Sequence, residues 1–219
     1  MDLISKKELL MEFEVEASFY NVGIGNRVFE CRNQARIKRI GFPSNTLDAI
    51  FILCNPGSCD PLMKEMVPVL DPRSAEVPFI KANSDPTQEQ IMRLMKIEQW
   101  NLISIINLSD LCSGNLTDFK AKLKDAMNCS FTYHSIFSRE RENELKKLLQ
   151  FNPSVELIAG WGTEPFIKSM VEEVFQHKLI KNIKGWRHKT RPYYYHPNPR
   201  IYESKKEWIN RTLQSIEAN

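Results

Sequence analysis

Three features are missing from this 219-residue sequence, and each absence excludes a class of protein. No apolar run approaches the roughly 18–20 residues that a membrane-spanning helix needs. The first residues lack the basic-then-apolar order of a secretory signal peptide. The five cysteines are scattered without a Cys-x-x-Cys pair, which argues against a zinc ribbon or an iron–sulfur cluster and favours free thiols in a reducing compartment. We therefore expect a cytoplasmic protein that does not associate with a membrane.

The composition is that of a folded globular chain. Apolar residues make up 42% and charged residues 26% of the sequence, and no internal repeat or low-complexity tract occurs. The length suits one good-sized core. We predict a single domain over 1–219, with residues 1–45 as a peripheral N-terminal extension and residues 46–219 as an α/β core. In the extension, Phe13, Val15, Ala17 and Phe19 alternate as in an edge strand.

The periodicity of the core predicts strands that alternate with helices. Four short apolar runs resemble buried parallel strands: Ala49–Cys54, Leu102–Ile106, Val155–Ala159 and, more weakly, Arg191–Tyr195. Helical patterns are present over Pro86–Gln99, Ser138–Phe151, Pro165–His177 and Lys205–Ile216. Alternation of this kind favours a three-layer α/β/α fold around a central, mainly parallel four-stranded sheet.

Two motifs follow strands and are candidates for chemistry. Asn55-Pro56-Gly57 places an amide at a strand tip beside a flexible glycine. His196-Pro197-Asn198-Pro199 holds a histidine before a stiff loop, where its ring can donate to a developing anion. Ligands of open α/β sheets bind at such strand ends. The alternative reading is a plain turn for the first motif and a packed or capped histidine for the second.

Two further strand ends carry polar groups. Asn107 can present a donor and an acceptor, or it can simply form a turn. Trp161-Gly162-Thr163 offers backbone N–H groups and a hydroxyl at a helix entry, which is typical of a phosphate site, although Thr163 as a helix cap is the alternative.

Positive charge is concentrated near the C-terminus. From Lys178 to Arg211 there are ten lysines and arginines against two acids, a balance of +8, which leaves −5 for the rest of a chain whose total is +3. Aromatic residues interleave these charges: Trp186, Tyr193, Tyr194, Tyr195, Tyr202 and Trp208. This pattern favours a nucleic-acid partner over a merely solvated face.

Taken in order, the motifs resemble the uracil-DNA glycosylase superfamily. Its members have a first motif of the Gly-Gln-Asp-Pro-Tyr-His or Gly-x-Asn-Pro-Gly kind, a strand ending in Asn, a strand ending in Trp-Gly-Ser and a His-Pro-Ser-Pro loop. The resemblance extends over about residues 48–213 through motifs alone. The chain also resembles an uncharacterised bacterial and phage domain family with Asn-Pro-Ser, Asp-Pro-Thr, Asn-Leu and Trp-Gly motifs, and that resemblance does not imply a particular activity.

The superfamily resemblance implies a role for each matching residue. Asn55 would position the hydrolytic water, and His196 would stabilise charge on the departing base. Gly57 stands where uracil-specific enzymes have a tyrosine, which implies a roomier pocket. Phe79 would stack on the flipped base and Asn107 would read its Watson–Crick edge. DNA contacts would come from Thr87, Gly162, Thr163, Asn198 and Arg200.

The sequence departs from that pattern at three points. Arg200-Ile201 replaces the intercalating Leu-Ser, and Ser58 replaces a histidine. Asp60 and Asp85 have no secure counterparts; either could activate water or stabilise a cationic sugar, and Asp85 could equally cap a helix.

We therefore predict a monomeric DNA glycosylase that needs no metal and no cofactor. It would act on a flipped, modified pyrimidine, such as a hypermodified cytosine of phage DNA, in a defence role. Two alternatives are a non-catalytic module that binds nucleic acid or a nucleotide, and a hydrolase of free nucleosides or nucleotides.

Overall fold

One mixed six-stranded sheet with helices on both faces accounts for the described residues of this computed structural model, which are 2–150, 152 and 155–218. The strands are β1 (Phe13–Ile24), β2 (Arg27–Arg39), β3 (Ala49–Leu53), β4 (Ile80–Lys81), β5 (Leu102–Asn107) and β6 (Glu156–Ala159). The helices are α1 (Lys6–Glu12), α2 (Pro86–Glu98), α3 (Leu116–Asn128), α4 (Glu142–Gln150), α5 (Lys168–Gln176) and α6 (Tyr202–Glu217). The strand order is β4-β1-β2-β5-β3-β6. The predicted α/β class is confirmed.

Strands β5, β3 and β6 form the parallel half of the sheet. Every residue of β3 and β5 is buried, because helices cover both faces and leave no solvent side for polar residues. Leu53 of β3 lies beside Asn107 of β5, and Ile52 lies beside Ala159 of β6. The three strands therefore end at the same edge of the sheet.

The N-terminal residues are not peripheral, so that prediction is wrong. β1 and β2 form a long antiparallel hairpin across Gly25-Asn26, and β2 pairs directly with β5. The prediction failed because alternating strands such as Phe13–Ile24 are typical of an edge, whereas here the apolar side packs on helices and the polar side faces a cavity described below.

The prediction of a four-stranded, mainly parallel sheet is also wrong. The sheet has six strands, and three of its five strand pairs are antiparallel. Arg191–Tyr195 adds no strand, because Tyr194 makes single bridges to Arg187 and Gly162. The position beyond β6 is instead occupied by a parallel bridge from Lys184 to Ile158.

Two buried clusters define the layers. One joins α1, α2 and α6 to Val15, Ile37, Phe51 and Ile105, and the other joins α3, α4 and α5 to the opposite sheet face. Four of the helices correspond to the predicted helical patterns, although short 3₁₀ turns precede α4 and α5 and Phe151 lies outside the described residues.

Within the described residues, no helix is both long enough and apolar enough to cross a membrane.

Candidate functional site

The ends of β3, β5 and β6 bring together five of the residues singled out from the sequence: Asn55, Gly57, Asp85, Asn107 and His196, here called the strand-end site. The parallel register explains why Asn55 and Asn107 are close, because Asn107 ends β5 beside Leu53 and Asn55 comes two residues after Leu53. The N-terminus of α2 supplies Asp85, and the loop after Tyr195 supplies His196.

The His-Pro-Asn-Pro loop packs over the strand ends. A Cβ atom added to Gly160, which follows β6, would lie 2.9 Å from Pro197 Cδ and 3.2 Å from Leu53 Cδ2. Only glycine permits this close approach, since real Cβ atoms almost never come so near a carbon. Because Gly160 has no side chain, the loop that carries His196 can pack directly against the ends of β3 and β6.

Asp85 connects helix α2 to the first motif. Its Oδ1 accepts hydrogen bonds from the N–H groups of Thr87 at 2.9 Å and Gln88 at 2.8 Å, which caps the helix. Its Oδ2 points to Gly57, where an added Cβ would lie 2.7 Å away. Gly57 also has φ of +68°, which favours glycine. The prediction that Gly57 makes the pocket roomier is therefore wrong, because the Asp85 carboxylate fills the space.

His196 is held as a neutral ring with a defined donor. Its Nδ1 accepts a hydrogen bond from the Asn198 N–H at 3.2 Å, so the proton of the neutral ring resides on Nε2. Burial lowers the pKa of His196, and the Asp85 charge opposes that shift without reversing it. At neutral pH the ring can therefore donate from Nε2 without carrying a charge.

Asn55 is fixed by the loop that follows β5. Its Nδ2 donates to the Ser113 carbonyl at 2.8 Å, which leaves Oδ1 as a free acceptor side of the amide. The next carbonyl, that of Pro56, accepts from Nη1 of the buried Arg32 at 3.0 Å. The first motif is therefore anchored on both sides.

Asn107 is the most unusual residue of the site. It is fully buried, and among the described residues neither Oδ1 nor Nδ2 finds a hydrogen-bond partner. Alternation with Ile103 and Ile105 directs its side chain to the α2 face of the sheet. A buried amide without partners costs on the order of 1–3 kcal/mol, so a hydrogen-bond partner from outside the described residues would stabilise this amide.

Two polar residues that the sequence analysis missed, Arg32 and Gln88, border this site. Burial raises the pKa of the Cys59 thiol, and the neighbouring Arg32 and Gln88 side chains partly offset that shift. Arg32 Nε and Gln88 Nε2 have no hydrogen-bond partner in the described part of the chain. Gln88 could have been found, because Asp85 and a glutamine three residues later form a capping box. No sequence pattern indicates that Arg32 lies at this site, because its position depends on the pairing of β2 with β5.

Phe79 is not part of the strand-end site, contrary to prediction. Its ring stacks on the Arg36 guanidinium at 3.9 Å, and Arg36 pairs with Ser104 across β2 and β5. Side chains of paired residues lie on the same face, and Ser104 faces away from Asn107 because the two differ by an odd number of positions. Phe79 therefore belongs to the opposite side of the sheet.

The Trp-Gly-Thr segment does not form the predicted phosphate site. The Gly162 N–H donates to the Tyr194 carbonyl at 2.9 Å and is not available to a ligand. The following 3₁₀ turn begins at Pro165 with Glu164 before it and no side-chain cap, so Thr163 does not cap a helix either. Thr163 remains half-buried beside this turn.

Three other predicted residues lie at the margin of the site. The Asp60 side chain is exposed, while its carbonyl accepts from the Asn83 N–H at 2.9 Å. Arg200 is exposed after the histidine loop, and Thr87 is half-buried in the first turn of α2. Nothing links the Asp60 carboxylate to His196, so Asp85 is the acid that the fold places in the site.

A hairpin that leads directly into His196 carries three exposed positive charges. This cationic hairpin, Trp186–Tyr195, is closed by hydrogen bonds from Tyr195 N–H to Trp186 and from His188 N–H to Tyr193, each 2.8 Å long. Its exposed tip carries Arg187, Lys189 and Arg191, and none of the three makes an ion pair with the described residues. The rings of Trp186 and Tyr195 pack against each other at a tilt, with their centres 4.3 Å apart, and stabilise the hairpin.

The residues that the structure describes contain no group of three or more His, Cys, Asp or Glu side chains arranged to hold a metal ion.

Comparisons with known proteins do not identify a family. No protein-family model and no curated protein matches the sequence. Among solved structures, the chain is similar to the acylaminoacyl peptidase of Pyrococcus horikoshii in its orthorhombic crystal form, with 11% identity and a TM-score of 0.33. That match covers 85% of this chain and 26% of the peptidase chain, so this chain spans about a quarter of its length.

Proposed function

We propose that this protein is a DNA N-glycosylase, which hydrolyses the bond between a flipped base and its sugar and leaves an abasic site. The observation that carries the proposal is the buried Asn107 amide, which lacks partners among the described residues and lies at the edge where Asp85 and neutral His196 meet. The order of the motifs, which resembles the uracil-DNA glycosylase superfamily, supports the same reaction.

Base recognition is the role that suits Asn107. Its carboxamide carries both an acceptor and two donors, which matches the mixed donor and acceptor edge of a nucleobase. Extruding a nucleotide costs on the order of a few kcal/mol of unstacking. Hydrogen bonds to an amide that otherwise has none offset that cost more than bonds to an already satisfied group.

The remaining side chains suit the two halves of the reaction. The C1′–N bond breaks and its electron pair leaves with the base, where the Nε2–H of His196 donates to the growing negative charge. Asp85 Oδ2 favours the cationic sugar and takes the proton of the water that adds to C1′. Asn55 Oδ1 orients that water, because Ser113 holds the other end of its amide.

The cationic hairpin is the surface we assign to the DNA backbone. Arg187, Lys189 and Arg191 project from its tip, and the hairpin is continuous with the loop that carries His196. Phosphate contacts fix the register of a protein on DNA without reading its sequence. Binding there would hold the scissile nucleotide near the strand-end site.

The identity of the target base is part of the proposal, and Gly57 does not support a preference for a bulky base. A modified pyrimidine, including a hypermodified cytosine of phage DNA, stays the proposed substrate class because of the phage-associated resemblance. A cytoplasmic monomer with a role in defence belongs to the same proposal.

The proposal is tested by abasic-site formation on oligonucleotides. Single- and double-stranded substrates containing uracil, a G·T mismatch or a glycosylated hydroxymethylcytosine are incubated at low salt and then cleaved with alkali. We expect one of these to be cut. On that substrate, His196→Gln should lower the rate at least about a hundredfold, the usual loss when a group that stabilises developing charge is removed. Asn107→Ala should also lower the rate, because the flipped base loses its hydrogen bonds.

His177→Gln is the matched control. The Nδ1 of His177 accepts from the Leu179 N–H as that of His196 accepts from Asn198, but it lies after α5 and away from the site. The control should keep full activity. Tight DNA binding without cleavage of any substrate would favour the non-catalytic binding module, and equal losses in His177→Gln and His196→Gln would contradict the assigned roles.

A further inference from the structure

A cavity lies on the face of the sheet opposite to the strand-end site. It has a volume of about 740 Å³ and is bounded by β1 and β2, α4 and the loop before β4. Cavities of roughly 300–1,000 Å³ accommodate small organic ligands. Residues that the argument uses line it: Ser18, Gln34, Arg36, Phe79, Asn143 and Lys147. We call it the polar cavity.

The floor of the polar cavity consists of polar side chains on an inner sheet face. Ser18, on that floor, and Ser104, at its border, are at most 1% exposed, and the Ser18 hydroxyl and the Gln34 backbone N–H are 3.1 Å apart. Ser104 Oγ donates to Gln34 Oε1 at 3.4 Å. Inner sheet faces under helices are normally apolar. Ser18 and Gln34 therefore place polar groups in the cavity lining at a position where a packed core would have apolar ones.

A flat stacking surface stands on that floor. The Arg36 guanidinium lies 3.9 Å from the centre of the Phe79 ring, which holds its plane in place, and about a third of the Arg36 side chain is exposed. Guanidinium planes and aromatic rings are the surfaces on which nucleobases stack in RNA- and single-strand-binding proteins.

The charges around the cavity offset one another. Arg36 and Lys38 share Glu16, Arg141 binds Glu144, and the lining also contains both Lys147 and the acid Glu140. A strongly charged ligand gains little from such a mixture. A neutral planar ring with donors and acceptors on its edge gains from both the stacking surface and the polar floor.

We propose that the polar cavity binds a free nucleoside or nucleobase, stacked on Arg36 and Phe79 and hydrogen-bonded by Gln34 and its neighbours. This site is separate from the strand-end site and does not depend on glycosylase activity. It explains why Phe79 and Arg36 are paired on a face where catalysis has no use for them.

Titration calorimetry with cytidine, uridine, adenosine and guanosine tests the proposal. We expect saturable 1:1 binding of at least one of the four. Phe79→Leu removes the ring and Arg36→Lys removes the plane while keeping the charge, so each should weaken binding about tenfold or more, as loss of a base-stacking partner does. Asn143→Trp, at an exposed position of α4, should block the opening without disturbing the core.

Two controls locate the binding. Arg27→Lys changes an arginine of the same strand that pairs with Asp125 outside the cavity, and it should leave the affinity unchanged. His196→Gln should also leave it unchanged. Binding that His196→Gln abolishes and Asn143→Trp does not would place the nucleoside at the strand-end site and overturn the proposal, as would no binding of any nucleoside at millimolar concentration.

Discussion

Among single residues, Gly57 is a position in the candidate site where both the backbone and its surroundings favour glycine. Its φ of +68° and the 2.7 Å approach of Asp85 Oδ2 to an added Cβ combine two separate demands for glycine. We predict that Gly57→Ala lowers the free energy of unfolding by at least about 1–2 kcal/mol, the cost of a left-handed backbone for an L residue. Urea titration followed by circular dichroism measures it.

Gly23→Ala is the control for that variant. Gly23 has ordinary φ, and no heavy atom lies within 4 Å of its added Cβ, so the substitution should change stability by less than about 0.5 kcal/mol. Equal losses of unfolding free energy in the two variants would show that the contact of Gly57 with Asp85 makes no specific contribution to stability.

Most strand-end residues could be predicted from sequence because their neighbours define chain breaks. Asn55, Asn107 and His196 each follow an apolar run or an aromatic segment, and Asp85 precedes a proline that opens a helix. Phe79 could not be placed, because it lies in a long loop whose path no periodicity describes. Arg32 could not be found either, since its contact with Pro56 spans 24 residues.

Among the elements, α2 is capped by Asp85, whose carboxylate also has a role in the proposed reaction. Asp85→Asn keeps an oxygen for the Thr87 and Gln88 N–H groups but removes the charge. We predict that this variant keeps the free energy of unfolding within about 0.5 kcal/mol and loses abasic-site formation, whereas Asp85→Ala also loses about 1 kcal/mol of stability. Thermal unfolding and the oligonucleotide assay separate the two effects.

One result would contradict the role of Asp85 in the reaction. If Asp85→Asn forms abasic sites at the wild-type rate, the Asp85 carboxylate only caps α2 and does not activate water.

Element prediction succeeded where one pattern dominated. β3, β5 and β6 are short, mainly apolar runs, so their strand character follows from sequence alone. The β1–β2 hairpin was missed although Gly25-Asn26 between alternating segments is a recognised hairpin signal. Helix α3 was also missed, although its sequence carries a helix signal. Apolar residues at 116, 119, 123 and 126 follow Asn115, which is the N-cap. Arg191–Tyr195 failed because its tyrosines pack in the core while its backbone pairs with Trp186–His188.

In the molecule as a whole, buried histidines make stability depend on pH. Burial lowers the pKa of His134 to about 4, below its ordinary value of 6.5. Between these values the unfolded chain binds a proton that the folded chain does not, so stability falls as pH is lowered through that window. At pH 5 this amounts to about 2 kcal/mol. We predict that His134→Gln removes that part of the acid destabilisation.

The measurement is urea unfolding of wild type and variant at pH 5 and pH 7.5. Relative to wild type, His134→Gln should gain about 2 kcal/mol on going to the lower pH. His177→Gln serves as the control and should follow the wild-type profile. Parallel profiles for His134→Gln and wild type would rule out the assignment.

DNA binding by the whole molecule should depend steeply on salt. Each phosphate contact contributes about 0.9 to the slope of log K against log salt on duplex DNA. We predict that replacing Arg187, Lys189 and Arg191 together by Gln lowers this slope by about 2–3, measured by fluorescence anisotropy. Lys120→Gln with Lys124→Gln, on the exposed side of α3, should leave the slope unchanged. A slope that falls only in the α3 variant would move the DNA surface there.

The position of β2 beside β5 has a consequence for how the chain acquires its structure during synthesis. The β1–β2 hairpin closes over two residues, so it can form as soon as the first 40 residues leave the ribosome. Its partner β5 begins at Leu102 and β3 joins only through β5, so β2 waits with one unpaired edge while some 60 further residues emerge. Unpaired edges recruit other chains. The nascent protein should therefore be most prone to aggregation during this interval, and ribosome-bound chains stalled before and after residue 107 should differ sharply in chaperone binding.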